Sequence, residues 1–272
     1  MTASASPAER FASLHRRATP LLLPNAWDLS SAIVLTNEGF GAIGSTSLGV
    51  AVASALADGH GLTRDPTLEL AATLCRSVPA LITMDIENGF SDRPSEVAEV
   101  CRQLEAVGVV GVNVEDGRAD GTLREAELHG RIVTAIKEAT PQLFVNARID
   151  THWLRARDSR TVTESLRRAS TYVDAGAHGI FIPGVEDRDD LDTYVRRIDA
   201  PINALFAPAG PTVDELAALG VRRISTGSLL FRAGIGAVIS TLRAVRDGTP
   251  LDTGSIPTYG DLQSAPPSGP AA

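Results

Sequence analysis

Cysteine is nearly absent from this chain. Cys75 and Cys101 are the only two in 272 residues. They fall in separate expected helices without metal-type spacing, so they read as small buried hydrophobes of a reducing cytosol. Basic charge is also short: 25 Lys and Arg stand against 33 Asp and Glu, a net −8 with the two signs interspersed. That balance excludes bulk nucleic-acid binding, which needs a basic patch. No uninterrupted apolar run is long enough to span a bilayer, and the first residues lack the apolar core of a signal peptide. The expectation is a cytoplasmic protein.

What is present is a set of short apolar runs that end in charge. Leu81-Ile82-Thr83-Met84 runs into Asp85-Ile86-Glu87-Asn88-Gly89-Phe90. Residues two apart in a strand point the same way, so Asp85 and Glu87 converge if strand geometry continues that far. Val109 to Val114 runs into Glu115-Asp116-Gly117, and Leu143 to Ala147 into Arg148-Ile149-Asp150. Gathered at one sheet edge, these ends make an oxygen-rich pocket with one fixed cation. Mg²⁺ prefers such oxygens, and the arginine suits a carboxylate or oxyanion beside it.

With 43% hydrophobic residues the chain fits one large domain. Residues 1–19 are expected to be an N-terminal extension, with a disordered start over 1–6 and a short helix from Pro7 to Arg17. The first strand is Leu21 to Pro24, followed by a helix over 29–38 capped by Asp28 or Ser30. A second strand, Phe40 to Thr46, opens into a long loop, Ser47 to Thr63, that carries Asp58, Gly59, His60 and Gly61. Further helices are expected over 66–77, from Pro94 to Val107, and over 123–139, 161–174, 187–198, 213–219 and 228–246. Strands fall between them at 81–84, 109–114, 143–147, 179–183, 202–205 and 223–225. Eight strand–helix alternations predict a parallel (β/α)₈ barrel over 20–249, with its active site at the C-terminal strand ends. Residues 250–272, rich in Pro, Gly and Ser, read as a disordered tail.

Several stretches together resemble the isocitrate lyase/phosphoenolpyruvate mutase superfamily over residues 20–245. They are Pro24-Asn25-Ala26-Trp27-Asp28, Gly39-Phe40, Thr46-Ser47-Leu48 and Asp85 to Phe90. Gly111 to Asp116, Asn146 to Asp150 and Ala175 to Pro183 complete the set. The resemblance implies that Asp85, Glu87, Glu115 and Asp58 hold Mg²⁺ (or Mn²⁺), partly through water. It implies that Arg148 binds a substrate carboxylate or the oxyanion that forms, and that backbone N–H groups around Thr46, Ser47 and Leu48 hold a 2-oxo acid. The implied chemistry is cleavage of a C–C bond in a small 2-oxo or 2-hydroxy carboxylate through an enolate. A phosphonopyruvate-type hydrolase or phosphonomutase, or a non-catalytic barrel that binds a metal–carboxylate ligand, are the alternatives.

The departures from the family pattern are specific. The lyases carry a mobile loop with a Lys-Lys-Cys-Gly-His pattern after the Glu-Asp pair, and the mutases an Asn-containing loop there. Here Glu115-Asp116 runs straight into Gly117-Arg118-Ala119-Asp120-Gly121-Thr122 and a helix. The lyases also place a glutamate after the sixth-strand proline, where this chain has Gly184. Isocitrate and 2-methylisocitrate are therefore expected not to be turned over at useful rates. The proton donor is expected among His60, His152, His129 or water. Trp27 is either packing or a substrate contact, and Asp116 a helix cap or the partner of an arginine. His15 and His178 read as structural, and Arg222-Arg223 as solvated or at a subunit contact. The last helix, around Ala233 to Val238, is more apolar than a monomer's surface helix needs. By the resemblance it is exchanged between subunits of a homo-oligomer, a dimer or a homotetramer.

Overall fold

A computed structural model describes residues 5–154, 161–254 and 256–264. Helix α1 (Pro7–Leu14) leads into β1 (Leu21–Leu23) and β2 (Asn25–Ala26). Then come α2 (Leu29–Asn37), β3 (Ala42–Ser45), α3 (Ser47–Ala53), α4 (Arg64–Ser77) and β4 (Leu81–Asp85). Helix α5 (Pro94–Ala106), β5 (Gly111–Glu115), α6 (Ala126–Ala139), β6 (Phe144–Arg148) and α7 (Thr161–Asp174) follow. The series ends with β7 (Gly179–Phe181), α8 (Arg188–Arg197), β8 (Ile202–Leu205), α9 (Val213–Leu219), β9 (Arg223–Ser225), α10 (Leu229–Asp247) and α11 (Tyr259–Ser264).

All strand pairs are parallel, in the order β1-β9-β8-β7-β6-β5-β4-β3-β2. The fold is a nearly closed TIM-type barrel, with nine strand segments rather than eight. Pro24 has no N–H to give and splits the first strand. Its N-terminal half pairs with β9 and its C-terminal half with β3. The strands are short apolar runs because both faces are covered. Outward residues such as Val112, Val145, Ile180 and Ile224 join the helices in one buried cluster.

Helix α1 closes the N-terminal end of the barrel. Phe11 lies within a second buried cluster with Ala42 and Phe144, which open β3 and β6, and Val110, which stands just before β5. A Cβ on Gly111 would stand 3.0 Å from the Phe11 ring, so glycine there lets the plug seat. His15 stacks on Phe144 with ring centroids 4.1 Å apart, a structural role as expected for it. The barrel is thereby left open at the other end, where the strands finish.

Three local expectations change. The 47–63 loop begins with a seven-residue helix, α3, which carries no side-chain cap to announce it. Helix α6 starts at Ala126 rather than 123, because residues 117–123 fold back on themselves. Gly117 bridges Leu123, and the Arg118 N–H donates to the Thr122 carbonyl at 2.9 Å. The tail read as disordered carries α11, whose Thr258 hydroxyl accepts the Asp261 N–H. The first four residues lie outside the described ones.

Candidate active site

The C-terminal strand ends surround one cavity of about 430 Å³. Asp85 ends β4, Glu115 ends β5 and Arg148 ends β6, and all three line it. Asp58, from the segment after α3, and Thr46, Ser47 and Leu48 at the start of α3 line it too. The first N–H groups of a helix have no acceptor within it, so Ser47 and Leu48 offer donors at the wall.

Arg148 is the hub. Its Nη1 sits 2.6 Å from Glu115 Oε2 and its Nε 2.6 Å from Asp150 Oδ1, with the rings of Trp153 and Phe181 within 6 Å of its guanidinium. Burial alone would weaken its charge, but Asp150, Glu115 and Asp85 outweigh that and hold Arg148 firmly protonated. The acids outnumber it. Burial pushes Asp85 up to about 6; Arg148 and the Glu87 N–H pull it down, while Asp58 and Glu87 raise it further. Burial also raises Glu115, against the pull of Arg148 and with the push of Asp150, Asp85 and Asp58.

This excess of buried negative charge around oxygen ligands fits a hard divalent cation. Among the described residues no three His, Cys, Asp or Glu side chains form a ready-made cage. The donor set thus suits an ion such as Mg²⁺ that keeps several of its waters.

Glu87 is placed differently from its expectation. Strand β4 stops at Asp85, and Glu87 has φ +49°, which breaks the two-residue alternation. Its carboxylate turns away from the cavity, accepting the Gly61 N–H at 2.9 Å and the Thr63 hydroxyl. Glu87 thus ties down the segment that carries Asp58. Asn25 works likewise: it accepts the Thr226 and Gly227 N–H groups and donates to the Ser45 carbonyl at 2.7 Å, binding the split first strand to both neighbours.

Among the described residues no histidine lines the cavity. His129 is fully buried on α6, in contact with Tyr172 and Arg124, and burial drives it well below its ordinary range. His152 Nε2 bonds Tyr194 Oη at 2.6 Å. His60 faces a shallow depression beyond the Arg118–Ala119 rim. Trp27 packs edge-on against Phe231 at 5.4 Å, with Gly49 at its back, and does not line the cavity. Asp116 is structural: it accepts from Tyr172 Oη at 2.6 Å, Arg168 Nη1 at 3.0 Å and the Asp150 N–H at 2.9 Å.

Arg223, expected to be solvated or at a subunit contact, lies elsewhere. It is 3% exposed, inside the barrel, and lines the cavity. Ile224 belongs to the outer cluster, so the period of two turns Arg223 inward; that alternation was the available signal. Burial lowers Arg223 to about 10, and the Asp85 charge acts against that.

The rim is built by short segments. Arg118 and Ala119 stand on one side and Trp153 and Leu154 on another, and residues 155–160 lie outside the described ones. Gly184 has φ +80° and a Cβ there would approach the backbone of His152 and Trp153 to 3.3 Å. A glutamate at that position would be strained, which agrees with its replacement.

Fold and site together define a TIM-type α/β barrel whose polar residues gather at one mouth. Within that class the chain belongs to the phosphoenolpyruvate phosphomutase family, whose sequence model matches residues 11–246, in the isocitrate lyase/phosphoenolpyruvate mutase superfamily. An uncharacterized protein of Mycobacterium tuberculosis H37Rv is 43% identical over 93% of this chain and 95% of its own length. A lyase/mutase structure from Burkholderia cenocepacia J2315 superposes with TM-score 0.85 at 33% identity, covering 94% of both chains. An oxaloacetate decarboxylase of Ectopseudomonas mendocina is 29% identical over 70% of this chain and 67% of its own. A 2-methylisocitrate lyase of Halalkalibacterium halodurans is 26% identical over 75% and 69%. A phosphonopyruvate hydrolase complex with oxalate and Mg²⁺ shares the fold at 22% identity and TM-score 0.83.

Proposed function

We propose that the cavity cleaves a C–C bond in a small 2-oxo or 2-hydroxy carboxylate, by decarboxylation or retro-aldol release, through an enolate. The observation that carries this reading is Arg148, a buried guanidinium held between Glu115 and Asp150 with one side open to the cavity. Asp85, Glu115 and Asp58 would hold Mg²⁺ or Mn²⁺, partly through water, while Glu87 fixes the segment bearing Asp58. The cation supplies positive charge against the negative charge that develops on the substrate oxygen.

The remaining work falls to the chain. Arg148 binds the carboxylate or oxyanion in a bidentate way and keeps its charge throughout. The N–H groups of Ser47 and Leu48 orient the 2-oxo end. With oxaloacetate, the C3–C4 bond breaks, its electron pair passes into the enolate, carbon dioxide leaves, and C3 takes a proton. Since no histidine among the described residues lines the cavity, water gives that proton. The relatives that decarboxylate oxaloacetate or cleave 2-methylisocitrate support the substrate class. A phosphonopyruvate-type reaction is the second reading, favoured by the family match.

A panel assay with Mg²⁺ that detects both pyruvate and glyoxylate tests this. It covers oxaloacetate, alkylmalates, phosphonopyruvate, isocitrate and 2-methylisocitrate. Pyruvate is expected from oxaloacetate or a 2-methyl-substituted malate, with no glyoxylate from isocitrate and no pyruvate from 2-methylisocitrate. Turnover of isocitrate near the ~10⁴ M⁻¹s⁻¹ of an ordinary enzyme would refute the reading of the short rim.

The same proposal includes a homo-oligomer that exchanges α10. Ile235, Val238 and Leu242 of that helix are exposed, at 46%, 63% and 66%, and an apolar stripe of this kind favours a covered state. Light scattering is expected to give a dimer or tetramer; a monomer at all concentrations would reject the exchange.

A further inference from the structure

Buried polar atoms are almost always paired. Inside this barrel a group of them is not. Thr83 Oγ1, Asn203 Nδ2, and both Nε and Nη1 of Arg223 have no hydrogen-bond partner among the described residues. The three residues are 2%, 1% and 3% exposed. Thr83 and Arg223 line the cavity below Asp85 and Arg148.

Asn203 and Arg223 are register partners on neighbouring strands, so their side chains share the inner face. The Asn203 carbonyl end is engaged by the Ser225 hydroxyl at 3.2 Å, which leaves its amide end facing inward. What results is a cradle of donors carrying one full positive charge. Burying a guanidinium without a hydrogen-bonded partner is costly, and bound water does not neutralise it. A carboxylate does both, because its two oxygens match the planar fork of the guanidinium.

We propose that Arg223, with Asn203 and Thr83, forms a second carboxylate subsite in the cavity floor, which makes the substrate a dicarboxylate. The inference rests on the reading of this cavity as a site for small 2-oxo or 2-hydroxy acids, and adds which of them it takes. One carboxylate lies at the mouth with Arg148 and the acids, and the other reaches Arg223. A monocarboxylate leaves the Arg223 donors empty, and a site built to bond a polar group discriminates strongly against an analogue that lacks it.

Titration calorimetry on the full chain with Mg²⁺ tests this with three probes. Malate is compared with 2-hydroxybutyrate, which has a methyl group in place of the second carboxylate, and oxalate serves as a probe of the mouth alone. The wild type is expected to prefer malate over 2-hydroxybutyrate by at least about tenfold. Arg223→Met should reduce that preference to less than about threefold while holding oxalate affinity within about threefold. Asn203→Asp, which places a carboxylate beside Arg223, should abolish the preference as well and does not depend on the methionine variant folding.

Equal wild-type affinities for malate and 2-hydroxybutyrate would overturn the subsite. So would an Arg223→Met variant that keeps the preference, or one that weakens all three ligands alike. If the wild type fails to bind oxalate while the malate preference still follows Arg223, the metal–carboxylate reading of the mouth falls and the subsite stands.

Discussion

Arg148→Lys is expected to fold like the wild type and to lose about a hundredfold or more in kcat/KM on the accepted substrate. The guanidinium serves Glu115 through one nitrogen and Asp150 through another, both at 2.6 Å, and the cavity through the rest of its fork. Lysine keeps the charge, which the surrounding acids require, but is a single point that cannot hold a carboxylate in one plane. The loss should appear in kcat as well as KM, since the oxyanion develops only as the bond breaks. Steady-state kinetics and a melting curve on the same sample check it. A lysine variant within about threefold of wild type would reduce Arg148 to an ion-pair partner and remove the substrate placement.

Saturating Mg²⁺ is expected to raise the melting temperature by about 5–10 °C, from ~2.7 kcal/mol of binding linkage at a hundred times Kd. The effect should depend on pH in opposite senses with and without metal. Folding raises Asp85 to about 6 and Glu115 upward, so the metal-free fold binds protons more tightly than the unfolded chain does. That stabilising increment is full below the ordinary carboxylate range near ~4 and is lost as pH rises through about 6. The cation needs the ionised carboxylates, so its shift should be full at pH 8 and fade as pH falls through about 6. Glu115→Gln should abolish the shift. Identical melting curves with and without saturating Mg²⁺ at pH 8 would count against the metal site.

Much of the architecture is legible in the residues. Apolar runs that stop in Asp85, Glu115 and Arg148, spaced by helical stretches, lead to a parallel barrel with its polar ends on one side. Other features depend on geometry that residue types do not carry. Glu87 lies two residues from Asp85, but a left-handed backbone turn sends its carboxylate to Gly61 and Thr63. His60, His129 and His152 all fall near the right end of the barrel in sequence. Which way each ring points is decided by partners such as Tyr172 and Tyr194 on later helices.

Arg223 is the instructive miss. Two adjacent arginines suggest a wet surface, and Arg222 does reach back to the Arg17 carbonyl at 3.1 Å on the outside. In a strand, however, neighbours point to opposite faces, so one of any such pair is carried inside. The split at Pro24 shows the same limit: the proline is visible in the chain, but the consequence, two half-strands serving two neighbours, is a property of the closed sheet.

The most direct test is pyruvate release from oxaloacetate and 2-methyl-substituted malates, followed with Mg²⁺ and again with the metal chelated. The same mixture without protein serves as the blank for uncatalysed decay. The account predicts metal-dependent pyruvate formation that exceeds this blank by about a hundredfold or more on at least one substrate. Wild-type rates equal to the blank on every substrate, with or without metal, would contradict it.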